Sequence, residues 1–131
     1  MAYESRFRLD DFELYKQARD FRKRLYVLIN SLPSNERFAL ADQMRRAAIS
    51  ISNNIAEGHG RWYYQQNIRF CRISRGSIEE VIDDLNICFD ENHASEDQLN
   101  SLKENALQLI ARINSYIAYL RKSKQGIPDE P

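Results

Sequence analysis

Apolar residues return along this chain at alternating steps of three and four, the spacing of one face of an α-helix rather than of a strand. The first stripe, Leu14, Ala18, Phe21, Leu25, Leu28 and Leu32, predicts a helix over residues 11–31. Pro33 cannot continue it, and Ser34 or Asn35 is placed to cap the next helix, with Glu36 in its positive first turn. That second helix carries Ala41, Met44, Ala48, Ile51 and Ile55 as far as residue 57, where Gly58 and Gly60 offer a left-handed stop. A third, over residues 62–91, aligns Cys71, Ser74, Ile78, Ile82, Leu85 and Phe89, with Phe70, Ser77, Val81 and Cys88 widening the stripe. Ser95, with Gln98 three residues on, reads as a capping box. It opens a fourth helix to residue 122, whose stripe is Leu99, Leu102, Ala106, Leu109, Ile113, Tyr116 and Leu120.

Four long amphipathic helices on short turns bury their stripes most economically by packing together. The expected fold is all-α, an antiparallel up-down-up-down four-helix bundle. Residues 1–124 form a single domain, and residues 125–131 read as a disordered C-terminal tail.

Composition narrows the class without changing this picture. The chain has 131 residues, 19 Lys+Arg against 19 Asp+Glu, and only 4 Gly and 3 Pro, which suits one small helical core. No apolar run approaches the roughly 20 residues of a membrane span. Glu4, Arg6, Arg8 and Asp10 occupy the start, where a signal peptide needs an apolar stretch, so a cytoplasmic location is expected. Cys71 and Cys88 fall on one helix about 25 Å apart, too far to bridge, and read as buried inert thiols.

Formal neutrality hides an asymmetry. Residues 37–75 hold seven arginines against two acids, Asp42 and Glu57, whereas from Gly76 onward five basic residues face eleven acids. Arginine forks to phosphate as lysine cannot, and Trp62, Tyr63, Tyr64 and Phe70 interleave with the arginines, so bases could stack beside a phosphate strip. The competing use of such a strip is ion pairing with acidic neighbours. The acids Glu79, Glu80, Asp83 and Asp84 form a ridge expected to point away from the Ile78, Ile82 and Leu85 face. That direction, and the lack of any Glu-x-x-His, argues against a metal centre. No cofactor is implied, and no base and nucleophile stand within reach of one another, so no enzyme is expected.

Two further features are not used by one bundle. Arg45, Ile49, Ser52 and Ala56 cluster away from the core stripe of the second helix, and Gly76 points outward in mid-helix, at a cost of about 1 kcal/mol relative to alanine. Ile49, Ala56 and Gly76 are therefore candidates for an interface between copies.

Three stretches carry a family resemblance. Gln43-Met-Arg-Arg-Ala-Ala-Ile-Ser-Ile-Ser-Asn-Asn-Ile-Ala-Glu-Gly-His-Gly-Arg61 is the longest, beside Phe7-x-Leu-Asp-Asp-Phe-Glu-Leu-Tyr-Lys-x-Ala18 and Arg69-Phe-Cys-Arg-Ile-Ser-Arg-Gly-Ser-Ile-Glu-Glu80. Together they resemble the bacterial four-helix-bundle proteins encoded in intervening sequences of 23S ribosomal RNA genes. The resemblance implies a ring-like homopentamer. One branch of that family is the accessory protein of diversity-generating retroelements, a basic scaffold for a reverse transcriptase and nucleic acid. Carried over residue by residue, it assigns Arg45, Arg46, Arg61 and Arg69 to RNA or DNA binding. Ser52, where many members have proline, and Trp62-Tyr63-Tyr64, in place of a polar helix start, depart from the pattern. The functional expectation is a non-enzymatic oligomeric scaffold that binds nucleic acid through arginines, as a possible accessory to a reverse transcriptase. The alternative is a protein-only assembly platform whose partner uses the acidic ridge.

Overall fold

The structure, a computed structural model, describes residues 8–123; the expected tail at 125–131 and Phe7 of the opening motif lie outside them. Four helices follow in order: α1 Glu13–Ser31, α2 Leu40–His59, α3 Tyr64–Asp90 and α4 Glu96–Lys122, with no strand among the described residues. Chain neighbours pack against one another and α4 closes onto α1, as an antiparallel four-helix bundle requires. Leu25, Leu28, Met44, Ala48, Ile78, Leu85, Ala106 and Ile113 are fully enclosed along its axis.

The helix ends depart from expectation wherever burial outweighs local capping. A 3-10 turn, Leu9–Asp11, precedes α1, and the N-cap is Phe12, which caps nothing with its side chain. Its ring is buried instead, 5.1 Å from His59 and 5.0 Å from Tyr116 between centroids, and closes one end of the bundle. Ser34 and Asn35 do not cap α2. They form a separate 3-10 turn, Ser34–Glu36, and the helix starts at Leu40 with Ala39 as a bare N-cap. The delay has a simple cause: Phe38 is 86% exposed, so Leu40 and Ala41 are the first residues with a core to enter. His93 Nε2 lies 2.9 Å from Glu36 Oε2, tying this turn to the one between α3 and α4.

No left-handed stop ends α2, since Gly60 has φ −78° and ψ −6°. Gly58 serves close approach: an added Cβ would lie 2.6 Å from Asn67 Oδ1 and 3.1 Å from both the Asn67 carbonyl oxygen and Phe70 Cβ. The same seam holds Ser50 Oγ 2.8 Å from Ser77 Oγ, and Ser74 Oγ donates to the Ile51 carbonyl at 2.8 Å. Small side chains let α2 and α3 approach, and these bonds satisfy the hydroxyls that approach buries.

Helix α3 starts two residues later than its pattern suggests, with Tyr63 as an uncapped N-cap. Its last turns also roll toward α2. Phe89 is 51% exposed and Ile82 only half-buried, whereas Val81, Asp84, Leu85 and Cys88 are enclosed. Asp84 therefore leaves the expected solvent ridge and lies inside. Asn92 turns left-handed at φ 57°, and the His93 N–H reaches the Cys88 carbonyl at 2.9 Å, a glycine-like end to α3. Ser95 caps α4 as expected, with Gln98 N–H donating to its Oγ at 3.2 Å, the first of the two bonds of a capping box. Tyr116 yields the deepest position to Ile117 and receives Asn67 Nδ2–H on its hydroxyl at 3.0 Å.

Candidate nucleic-acid interface

Antiparallel packing sorts the charges along the bundle axis. The end built from residues 8–21, 51–76 and 110–123 carries ten cations and five acids, and the opposite end, 22–50 and 77–109, seven cations and eleven acids. The polarity is sharper at the α3–α4 seam of the basic end. Residues 58–78 and 105–123 together contain seven cations (Arg61, Arg69, Arg72, Arg75, Arg112, Arg121 and Lys122) and no acid at all. Cations that outnumber the acids around them raise the local potential and attract an anion.

The four arginines singled out in the sequence occupy two places. Arg45 lies on the α1 side of α2, its Nη2 donating to Asn30 Oδ1 at 2.9 Å, and Arg46 pairs with Asp42 at 2.8 Å one helical turn away. Arg61 is about 24 Å further along the axis at α-helical rise. It pairs with Glu57 at 3.0 Å and covers the Phe70 ring at 5.0 Å. Arg69 is exposed in the first half of α3, at the same end as Arg61. Arg61 and Arg69 thus share the basic end, and Arg45 and Arg46 do not.

Sequence reasoning missed Arg121, which it counted with the acidic half of the chain, and did not single out Arg72. Among the described arginines, only Arg72, Arg112 and Arg121 make no hydrogen bond, ion pair or ring contact to the described residues. Arg112 turns toward α1, where it lines a groove with Gln17, Asp20, Arg24 and Asn105. Arg72 and Arg121 line an open groove between α3 and α4 with Tyr64, Gln65 and Ile68. The missed signal is the antiparallel register itself, which sets the end of α4 beside the start of α3.

The interface candidates are also divided. Ile49 is 40% exposed. The residues on either side of it along the helix face both reach α1, Arg45 through Asn30 and Ser52 through Arg22 Nη1–H at 2.8 Å. Ser52 itself is buried, a correction to its expected place outside. Ala56 is half-buried on α2, and Gly76 sits on the open outer face of α3 with nothing within 4 Å of an added Cβ.

Cys71 and Cys88 are buried and unbridged, and burial pushes their thiols up to about 12 and about 11, where the reactive thiolate is scarce at neutral pH. Among the described residues no group of three His, Cys, Asp or Glu side chains is placed to hold a metal ion, and no helix is long and apolar enough to cross a membrane.

Comparison with known proteins agrees with this architecture. One similar solved structure is described as a protein with unknown function from the S23 ribosomal protein family of Bacteroides thetaiotaomicron VPI-5482. It shares 19% identity and a TM-score of 0.74, over 79% of this chain and 97% of that one, a likeness of fold. No curated protein matches. The family model for the 23S rRNA-intervening sequence protein matches residues 10–115, nearly the whole of the bundle, and the chain belongs to that family.

Proposed function

We propose that this protein is a non-enzymatic, oligomeric scaffold that binds nucleic acid through the arginines of its basic end. The observation that carries the reading is the pair of stretches 58–78 and 105–123, which hold seven cations and no acid and bring Arg69, Arg72 and Arg121 to the end where α3 begins and α4 ends. Contacts of this kind are to phosphates, so many sequences are accepted and affinity depends on salt. Arg61 and Arg69 belong to this end, and Arg45 and Arg46 supply a second, weaker contact. A role beside a reverse transcriptase rests on the family resemblance alone.

A gel shift tests the division of labour. With a labelled RNA at about 50 mM salt, Arg61→Gln/Arg69→Gln is expected to weaken binding about tenfold, and Arg45→Gln/Arg46→Gln less than half as much on a logarithmic scale. Equal losses would move the site off the basic end. Retention of neither RNA nor DNA by the native protein would leave the protein-only assembly platform.

The oligomer is supported by the two unused features on different flanks, Ile49 beside α1 and Gly76 on α3. A contact joining one flank to the other in the next copy is heterologous, the kind that gives a ring where its rotation closes. Ile49→Asp is expected to shift the light-scattering mass toward the monomer at micromolar concentration with far-UV helicity unchanged. A native protein that is already monomeric would contradict the assembly.

A further inference from the structure

The groove between α3 and α4 is more specific than a patch of charge. Its floor is Ile68, 5% exposed, and one wall is Tyr64, packed against the core in the first turn of α3. Arg72 from α3 and Arg121 from α4 stand at its rim, both exposed. Of the three arginines that make no hydrogen bond, ion pair or ring contact to described residues, these are the two that share a concavity, and no acid lines it. Two guanidiniums in one groove repel each other unless an anion lies between them, and a phosphodiester offers oxygens to both forks. Beside them, the apolar floor and the aromatic wall suit a flat heterocycle whose face is free.

We propose that this groove seats one unpaired nucleotide of a single-stranded nucleic acid, with its phosphate between Arg72 and Arg121 and its base against Tyr64 and Ile68. The proposal rests on the nucleic-acid reading above and adds a strand preference to it. A duplex keeps its bases paired and stacked, so it can offer the groove a phosphate but no base face. Charge at the rim alone would attract both forms, whereas the wall and floor reward only the unpaired one.

Fluorescence anisotropy separates these contributions. The probes are a fluorescein-labelled single-stranded RNA of about 12 nucleotides and a duplex of the same length, at about 50 mM salt where phosphate contacts are strong. Arg72→Gln/Arg121→Gln is expected to weaken the single strand at least about tenfold, and the duplex as well, since both offer the rim a phosphate. Tyr64→Leu, which keeps an apolar wall and removes the ring, is expected to weaken the single strand alone. The proposal is overturned if single-strand affinity survives the arginine pair, or if Tyr64→Leu weakens the duplex as much as the single strand. Binding that needs Arg61 and Arg69 but ignores Arg72, Arg121 and Tyr64 would sink the groove and leave the broader reading standing. Absence of any binding by the native protein would overturn both.

Discussion

Leu25→Ala is expected to destabilise the bundle by about 2–5 kcal/mol, the range for removing a large aliphatic side chain from a core that cannot collapse around the gap. Leu25 has no exposed surface and sits at the middle of the α1 stripe, with Phe21 and Leu28 buried on either side of it. Its neighbours across the axis come from helices that are themselves packed along their length, so they cannot all move in to fill the space. Leu109, 3% exposed in α4, is expected to behave alike. Total stability of a domain this size is on the order of 5–15 kcal/mol, so either change removes a large share of it. Urea denaturation followed by far-UV circular dichroism measures the loss. A midpoint unchanged in both variants would contradict the assignment of these stripes to the core.

Asp84→Asn is expected to act in the opposite direction and to depend on pH. Asp84 has no exposed surface; Gln43 Nε2–H donates to its Oδ1, and Oδ2 has no partner among the described residues. Burial pushes the carboxyl up to about 6, against the Gln43 hydrogen bond and with help from Asp83 and Glu80 on the same helix. From about pH 4 to about pH 6 the unfolded chain releases this proton while the folded chain keeps it, so stability falls as pH rises and is level above that window. The total loss is on the order of 2–3 kcal/mol. Asparagine keeps the shape and the acceptor for Gln43 without the charge. The variant is expected to be more stable than the native protein by about 1–3 kcal/mol near pH 8, and to lose the advantage near pH 4. Parallel stability curves for the two proteins across that range would show that Asp84 ionises without cost.

Much of the fold could be read from spacing alone because each helix buries one continuous stripe, and period and turn chemistry agree on where it lies. The failures are informative about what competes. Phe12 and Ala39 stand at N-cap positions where local chemistry favours Ser or Asp, because the start of burial, not the best cap, decides where the helix begins. Asp84 was legible in principle: Ser77, Val81, Asp84 and Cys88 step by four, three and four, a second stripe on the α2 side that was seen only in part. Its carboxyl group argued for the surface, and the stripe was the stronger signal. Gly58 looked like a stop because glycine often ends helices, yet no local pattern could reveal the Asn67 side chain lying against it.

The candidate site was less legible than the fold. Counting charges by segment put Arg121 among acidic neighbours, since Glu91, Glu96, Asp97 and Glu104 precede it in the chain. Those acids lie at the other end of the bundle, most of a 27-residue helix away. Folding the same counts back along four antiparallel helices is enough to uncover the acid-free seam, so the topology carried information that linear order concealed.

The central claim is that phosphates meet the cations of the basic end, and the salt dependence of RNA binding tests it most directly. If the native protein makes about four phosphate contacts to a single strand, the slope of log Kobs against log salt is about −3, a loss of about 50-fold in affinity between about 50 and 200 mM salt. The Arg72→Gln/Arg121→Gln variant is expected to have a slope shallower by about one to two. Binding with no salt dependence, or none detectable at the lowest salt, would contradict the account.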